Sequence, residues 1–495
     1  MYYIGYDLGS SSIKAALVDA KTGRSMGIAH FPDQEMAILS IESGWAEQDP
    51  DLWWLYICNV TKKLLAQTRI SSDQIKGIGI SYQMHGLVLV DKNKKVLRPS
   101  IIWCDSRAVE IGNQAFEGVG KEKCISNLLN SPGNFTLSKL KWVMENEPNI
   151  FEQVDKLLLP GDYIALKMTG EATTTISGLS EGIMWDFKQN NPADWLFDYM
   201  GISTDLIPQI VPTFSNQGVL TKTGSKEIGL PAGIPLLYRA GDQPNNALSL
   251  NVLNPGEIAA TGGTSGVVYA VTDNNDTVES SRINNFAHVN YSKEKPRIGK
   301  LLCINGAGIQ YSWMKNNIAL SNKSFSHMND LASNVAVGSD GLRIIPFGNG
   351  AERMLNNQNN GSSIFNLNFN KHQSQHLFRA ALEGIAFSFV YGIEILINDG
   401  VNLSVLKAGN DNLFQSDIFS ETISTITKTE INMIDTTGAI GAARAAGIGA
   451  GEFETMDDAL PDNEQLMTHY PKKDNQIYLD AYQQWKYDLE NKYIN

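Results

Sequence analysis

The chain has 495 residues, 42% of them apolar and 19% charged, with a net charge of -13. That length exceeds one ordinary core, so two domains are expected, and the composition is that of a folded rather than a disordered protein. An acidic chain with no basic stripe argues against nucleic acid and anionic membrane as partners, and no uncharged apolar run reaches the roughly 18 residues of a membrane span.

Tyr2 begins a β-rich run at once, which leaves no room for a signal peptide. The run ends at Asp7, Gly9 and Ser10-Ser11-Ser12 form a turn, and Ile13–Asp19 returns as a second strand, so the chain opens with a hairpin. Asp49-Pro50 then starts a helix, with Asp as N-cap and Pro in the first turn, and Leu52, Tyr56, Val60 and Leu64 on one face. Strands are predicted over Ile75–Ser81 and Leu87–Asp91, with Met84-His85-Gly86 in the turn between them. Around Pro148–Pro160 the texture loosens, and strands and turns are expected beyond it. An apolar strand over Ile234–Tyr238 leads into Gly241-Asp242.

Near the middle, the stretch from Ile258 to Val271 repeats the opening pattern of strand, Gly-hydroxyl turn and strand, here with Gly263-Thr264-Ser265 in the turn. Matching hairpins at the head of each half imply a duplicated domain, divided as residues 1–250 and 251–495. The second half ends in α/β alternation: a long helix over Gln375–Asn398, a strand over Leu403–Ala408, a helix over Leu413–Thr427, a strand over Ile431–Ile434 and a small-residue helix over Gly438–Gly449. Cys58, Cys104, Cys124 and Cys303 show neither C-x-x-C nor metal spacing, which predicts reduced, buried thiols in a cytoplasmic protein.

Chemistry is expected at four places. Asp7, at the end of the first strand, can hold Mg²⁺ through water, while the Gly9, Ser10, Ser11 and Ser12 turn aims N–H groups at an anion and Lys14 reaches a phosphate. No G-x-x-x-x-G-K-[ST] occurs, so this is not a P-loop protein. Asp242 follows an apolar strand and stands where α/β folds bind ligands, placed to take a proton from an attacking hydroxyl; a helix N-cap is the bland alternative. His85 can donate to a sugar oxygen, and Trp103-Cys104-Asp105-Ser106-Arg107 reads either as an aromatic wall or as a core Trp beside a surface ion pair.

The ordered set Gly5-Tyr6-Asp7-Leu8-Gly9-Ser10-Ser11, Trp45-Ala46-Glu47-Gln48-Asp49-Pro50, Gln83-Met84-His85-Gly86, Gly241-Asp242, Gly263-Thr264-Ser265-Gly266 and Gly438-Ala439-Ile440-Gly441-Ala442-Ala443 resembles the FGGY carbohydrate kinases, most closely their xylulose kinases. The resemblance implies an α/β fold of two actin-like ATPase (ribonuclease H-like) domains with a cleft between them, sugar mainly on the first and ATP mainly on the second. It implies transfer of the γ-phosphoryl group to the terminal hydroxyl of D-xylulose, with ATP and Mg²⁺ required. Asp242 and Asp7 are then the catalytic carboxylates and the metal-binding pair, and Met84, His85, Trp103, Asp242 and Gln243 line the sugar site. Gly9, Ser10, Ser11, Ser12, Lys14, Gly263, Thr264, Ser265, Gly409 and Asn410 serve ATP.

Three positions depart from the family pattern. Gln243 stands where xylulose kinases usually have Asn, Asn410-Asp411-Asn412 replaces a glycine run, and Asn366 replaces a common Gly. The rival readings are a kinase of another polyol or ketose, such as glycerol or ribulose, and an actin-like conformational ATPase. The expected partners are the sugar and ATP, with a homodimer compatible with either kinase reading.

Overall fold

The computed structural model describes residues 1–319, 324–410, 412–460 and 465–493. The first half builds a five-stranded sheet from β1 (Tyr2–Leu8), β2 (Ile13–Asp19), β3 (Ser25–Phe31), β4 (Ile75–Tyr82) and β5 (Leu236–Gly241), in the order β5-β4-β1-β2-β3. The second half builds a seven-stranded sheet from β6 (Glu257–Gly262), β7 (Gly266–Thr272), β8 (Asn284–Ala287), β9 (Ile298–Ile304), β10 (Val405–Gly409), β11 (Ile431–Ile434) and β12 (Gln465–His469), in the order β8-β9-β7-β6-β10-β11-β12. In each sheet an antiparallel hairpin (β1/β2, β6/β7) is flanked on one side by an antiparallel strand (β3, β9). On the other side lie two parallel strands (β4 then β5, β10 then β11). The expected duplication is therefore present in five strands of each sheet, with β8 and β12 added at the edges of the second.

The main helices, in chain order, are α1 (Pro50–Thr68), α2 (Pro160–Thr169), α3 (Ile176–Glu181), α4 (Asp242–Ser249), α5 (Gly308–Asn317), α6 (Phe325–Ser333), α7 (Ser374–Asn398), α8 (Asp417–Thr427) and α9 (Gly438–Gly449). Asp49 caps α1, accepting from the Asp51 N–H at 2.9 Å. The buried face of α1 differs from the expected one. Trp53, Trp54, Ile57, Val60 and Leu64 point inward and Leu52 is exposed, because the two indoles carry most of the apolar area and set the rotation of the helix. Helices α2 and α3 occupy the stretch where strands and turns were expected. Pro160 starts α2, where a missing N–H costs nothing, and Thr175 caps α3 by accepting from Gly178 N–H at 3.0 Å.

Helix α7 is long and apolar enough to cross a membrane, yet 89% of its most apolar window is buried inside the protein. It is the central helix of the second core, packed under β6, β7 and β9. Asn366, just before it, sits at φ 58°, the left-handed region where Gly would be the default and Asn is the best-tolerated alternative.

Helices do not respect the halves as the strands do. Helix α9, encoded after residue 437, packs on β1, β4 and β5 of the first sheet. Its backbone comes so close that a Cβ on Gly5 would overlap the Ala439 carbonyl, and one on Gly79 the Ala442 carbonyl. The small residues of α9 and these two glycines, directly opposite each other in the β1–β4 register, are one device seen from two sides. Helix α4 packs against α9, so the helices that follow β5 and β11, equivalent in the two halves, lie together between the sheets. Of the four thiols, Cys58 and Cys124 are buried as expected, but Cys104 is exposed and Cys303 half-buried.

Candidate active site

Asp7 lies at the carboxyl end of β1, level with Ser81 on parallel β4 and with Lys14 on antiparallel β2. Residues directly opposite in an antiparallel pair share a face, so the Lys14 stem starts on the same side as the Asp7 carboxylate. Ser81 Oγ donates to Asp7 Oδ1 at 2.8 Å. Gly438, the first residue of α9, abuts the same carboxylate: a Cβ there would stand 2.7 Å from Asp7 Oδ2. Asp7 therefore faces the N-terminal end of a twelve-residue helix.

The turn after Asp7 is pinned from several sides. Gly9 N–H donates to Ser12 O at 3.2 Å, Met36 N–H donates to Ser11 O at 2.8 Å, and Gln48 Nε2 donates to Ser10 O at 2.7 Å. Gln48 Oε1 in turn accepts from Trp53 Nε1 and Gln83 Nε2, both at 3.1 Å. Gln48 thus ties the first hairpin to the Gln83-Met84-His85-Gly86 turn.

Asp242 is the first residue of α4, directly after β5, with Gly241 rather than Asp242 in the N-cap position. Burial, then the charge of Asp7, pushes its carboxyl up to about 7, against which hydrogen bonds from Gln243 act. An ordinary surface cap would not be held there, so the bland reading of Asp242 fails. A carboxylate poised near neutrality is suited to general-base work. The residues behind it lock its helix to the second half: Asn245 Nδ2 donates to Gly438 O at 2.9 Å, and Asn246 Nδ2 to Thr261 Oγ1 at 3.0 Å. Sequence reasoning missed both asparagines. The only signal was a pair of amide side chains one turn inside a helix, where amides have no propensity advantage.

Met84 is 4% exposed and packs against Gly241, where a Cβ would overlap its Cγ. His85 holds φ 63°, and its carbonyl accepts at 2.9 Å from Lys139 Nζ, which also donates to Ile102 O at 3.0 Å. Lys139 is fully buried, and burial drives its pKa down to about 7. The His85 ring sits edge-on to Phe135 and against Phe286 of β8. Its Nδ1 lies 2.9 Å from Glu181 O, which can only accept, so Nδ1 carries the proton. Burial, then Lys139, drives the imidazole down to about 3, so the ring is neutral and Nε2 keeps its lone pair. In this state the His85 ring offers Nε2 as an acceptor rather than as the donor expected from the sequence.

Trp103 is 51% exposed and its Nε1 lies 3.4 Å from Ser10 Oγ, beside the first hairpin. The ion pair next to it is the buried element. Arg107 bonds Asp105 at 2.8 Å and Glu47 at 2.7 Å, with its guanidinium 3.8 Å from the Trp45 ring centroid, and Arg98 also reaches Glu47 at 2.6 Å. The bland alternative for this segment, a core Trp beside a surface pair, is inverted. The Trp45–Gln48 segment serves as the foundation under Trp103.

On the second half, Gly263 and Thr264 of the β6/β7 turn accept from the first N–H groups of α5, Gly308 N at 3.1 Å and Ile309 N at 3.0 Å. They line a cavity of about 830 Å³, closed by Tyr311, Phe325, Asn329 and Ser416. The Tyr311 and Phe325 rings stack at 5.7 Å on its wall, Tyr311 buried and Phe325 exposed. Ser265 is not on this wall, and neither are Gly409 and Asn410; the loop reaches the cavity three residues later, from Asn412 to Ile418. Asp411 lies outside the described residues.

Two profile matches cover most of the chain: the N-terminal domain of the FGGY family of carbohydrate kinases over residues 2–249 and its C-terminal domain over 258–450. The chain belongs to the FGGY family of carbohydrate kinases. Among curated relatives, the xylulose kinase of Escherichia coli (strain K12) is 29% identical over 487 residues, spanning 97% of this chain and 96% of that one. The xylulose kinase of Bacillus subtilis (strain 168) is 27% identical over 488 residues, 96% and 93% of the two chains. Among solved structures, xylulose kinase from Rhodospirillum rubrum superposes with a TM-score of 0.87 at 24% identity over 99% of each chain. Plasmodium falciparum glycerol kinase with ADP does so at 0.88 and 20% identity over 100% of this chain and 98% of that one. The two-domain actin-like fold of this FGGY member is thereby established, and with it an ATP-dependent carbohydrate kinase.

Proposed function

We propose that this FGGY kinase transfers the γ-phosphoryl group of ATP to the terminal hydroxyl of D-xylulose, giving D-xylulose 5-phosphate. The observation that carries the reading is Asp242: a half-buried carboxyl pushed up to about 7 beside Asp7, at the junction of the Met84-His85 turn and the second-half hairpin. The near full-length relatives named xylulose kinase support the choice of sugar.

In this reading Asp242 takes the proton of the attacking hydroxyl, and Met84, His85, Trp103 and Gln243 hold the ketose. The turns at Gly9–Ser12 and Gly263–Ser265 present N–H groups to the phosphates, with Lys14 beside the first. The cavity behind Thr264 takes the adenosine, and Tyr311 with Phe325 replaces the missing glycine run as the base-contacting surface. Asp7 and Asp242 are the carboxylates that would hold Mg²⁺. No cluster of three acidic, His or Cys ligands exists among the described residues, which fits an ion bound by one or two carboxylates plus substrate phosphates. Bound there, Mg²⁺ supplies neutralisation of phosphate charge. The residues on the two halves must close on their substrates to align them and exclude water as a competing acceptor.

The test is ADP release with MgATP across D-xylulose, L-xylulose, D-ribulose, L-ribulose, glycerol and gluconate, with Asp242→Asn as control. D-xylulose is expected to give the highest kcat/KM. A better polyol would move the specificity assignment to Gln243, and equal ATP turnover with no acceptor would refute the kinase reading.

A further inference from the structure

Glu181, the last residue of α3, is fully buried, and among the described residues it is the one carboxyl whose two oxygens are both buried without a hydrogen-bond partner. Four other buried carboxyls are matched to a cation, Asp105 to Arg107, Asp162 to Arg239, Asp399 to Lys300 and Glu383 to Arg379, and buried Asp186 and Glu352 accept from N–H donors. The buried Tyr82 hydroxyl is the one protein group that bears on the Glu181 carboxyl, a loose hydrogen bond short of good geometry, and it can engage only one of the two oxygens. An orphan carboxyl in a core is costly, and a smaller apolar residue would remove the cost. Tyr82 leaves at least one Glu181 oxygen open to a further partner.

The location names that partner. A Cβ on Gly241 would overlap both Glu181 Oε2 and Met84 Cγ, so the carboxyl lies against the residue preceding Asp242 and beside the Met84 side chain. The backbone carbonyl of Glu181 is what fixes the His85 tautomer. Met84, His85, Gly241 and Asp242 therefore all meet at Glu181. Burial, then the charges of Asp242 and Asp162, holds the carboxyl well above the usual carboxylate range. That direction favours the protonated form, which can donate one hydrogen bond and accept others.

We propose that Glu181 is a specificity-determining residue of the acceptor site: its carboxyl hydrogen-bonds a second hydroxyl of the ketose, directly or through one ordered water, beside the hydroxyl that Asp242 deprotonates. This rests on the sugar-kinase reading of the same site. Met84, the unbranched and adaptable side chain that shares the space beside Gly241 with the carboxyl, would have to shift to admit the hydroxyl or its water. A site built to hydrogen-bond a hydroxyl discriminates strongly against an acceptor that lacks or misplaces it, because the buried group is then left unpaired.

The experiment measures kcat and KM for D-xylulose, its C3 epimer D-ribulose and singly deoxygenated xyluloses, with wild type, Glu181→Gln and Glu181→Ala, alongside KM for MgATP and melting temperature. For Glu181→Ala, KM for D-xylulose is expected to rise about 10- to 100-fold with kcat and KM for ATP nearly unchanged. One deoxy sugar, poor with wild type, should become as good as D-xylulose with the variant. Glu181→Gln, which keeps a neutral donor and acceptor, should recover most of the affinity. The proposal is overturned if Glu181→Gln and a folded Glu181→Ala leave KM and the ranking of acceptors within two-fold of wild type. It is equally overturned if both lose only kcat. Should Glu181→Ala not fold, the deoxy-sugar ranking of Glu181→Gln against wild type decides. If wild type uses no ketose, the xylulose reading falls separately, and the same KM comparison on its best polyol decides the role of Glu181.

Discussion

The carboxyl of Asp242, held at about 7 by burial and by Asp7, fixes the acid limb of the rate profile. A general base must be ionised, so kcat/KM for the acceptor should rise with pH through about 7 and then level off. Below that point only the ionised fraction works: about one tenth of the plateau one pH unit down, and about one hundredth two units down. The ordinary aspartate value would leave the enzyme fully active at both, so the profile between pH 5 and 9 separates a perturbed base from an unperturbed one. Replacing Asp242 by Asn keeps the shape, removes the base and should lower kcat at least about 100-fold, with the limb abolished. The assay is coupled ADP release at saturating MgATP in buffers of constant ionic strength. A flat wild-type profile across neutrality, or an Asp242→Asn enzyme that retains the limb, refutes the assignment.

Other substitutions probe how the halves are held. Gly79→Val pushes a branched side chain into the Ala442 carbonyl of α9, and should destabilise by roughly 3 kcal/mol or more and displace Gly438 from Asp7; chemical denaturation and KM for MgATP read the two effects. Asn245→Ala leaves the Gly438 carbonyl without its 2.9 Å donor, and should cost about 1–3 kcal/mol, seen as a melting temperature lower by several degrees. Lys139→Met removes the ammonium that holds the His85 and Ile102 carbonyls, so KM for the acceptor should rise about tenfold or more while KM for ATP stays put.

The sequence by itself determined the local pieces and their chemistry. Strand–turn–strand patterns around Asp7 and Gly263 announced both hairpins, the Gly241-Asp242 step after an apolar strand announced a carboxylate at the mouth of the sheet, and the run of Gly and Ala over 438–449 announced a helix in close contact with something. Each is written in adjacent residues, where turn chemistry and periodicity act. The partner of that helix is what only tertiary structure decided: α9 crosses to the first sheet, because Gly5 and Gly79, 74 positions apart, clear a lane for its backbone. The same holds for the rotation of α1, set by two indoles competing with Leu52 for the core, and for the cavity wall beginning at Asn412 rather than Gly409. It holds also for His85, whose hydrogen-bonding sense depends on a carbonyl 96 residues away. Burial and long-range charge leave no trace in neighbouring residues, so a neutral imidazole, a raised Asp242 and an orphan Glu181 become visible only once the chain has closed around them.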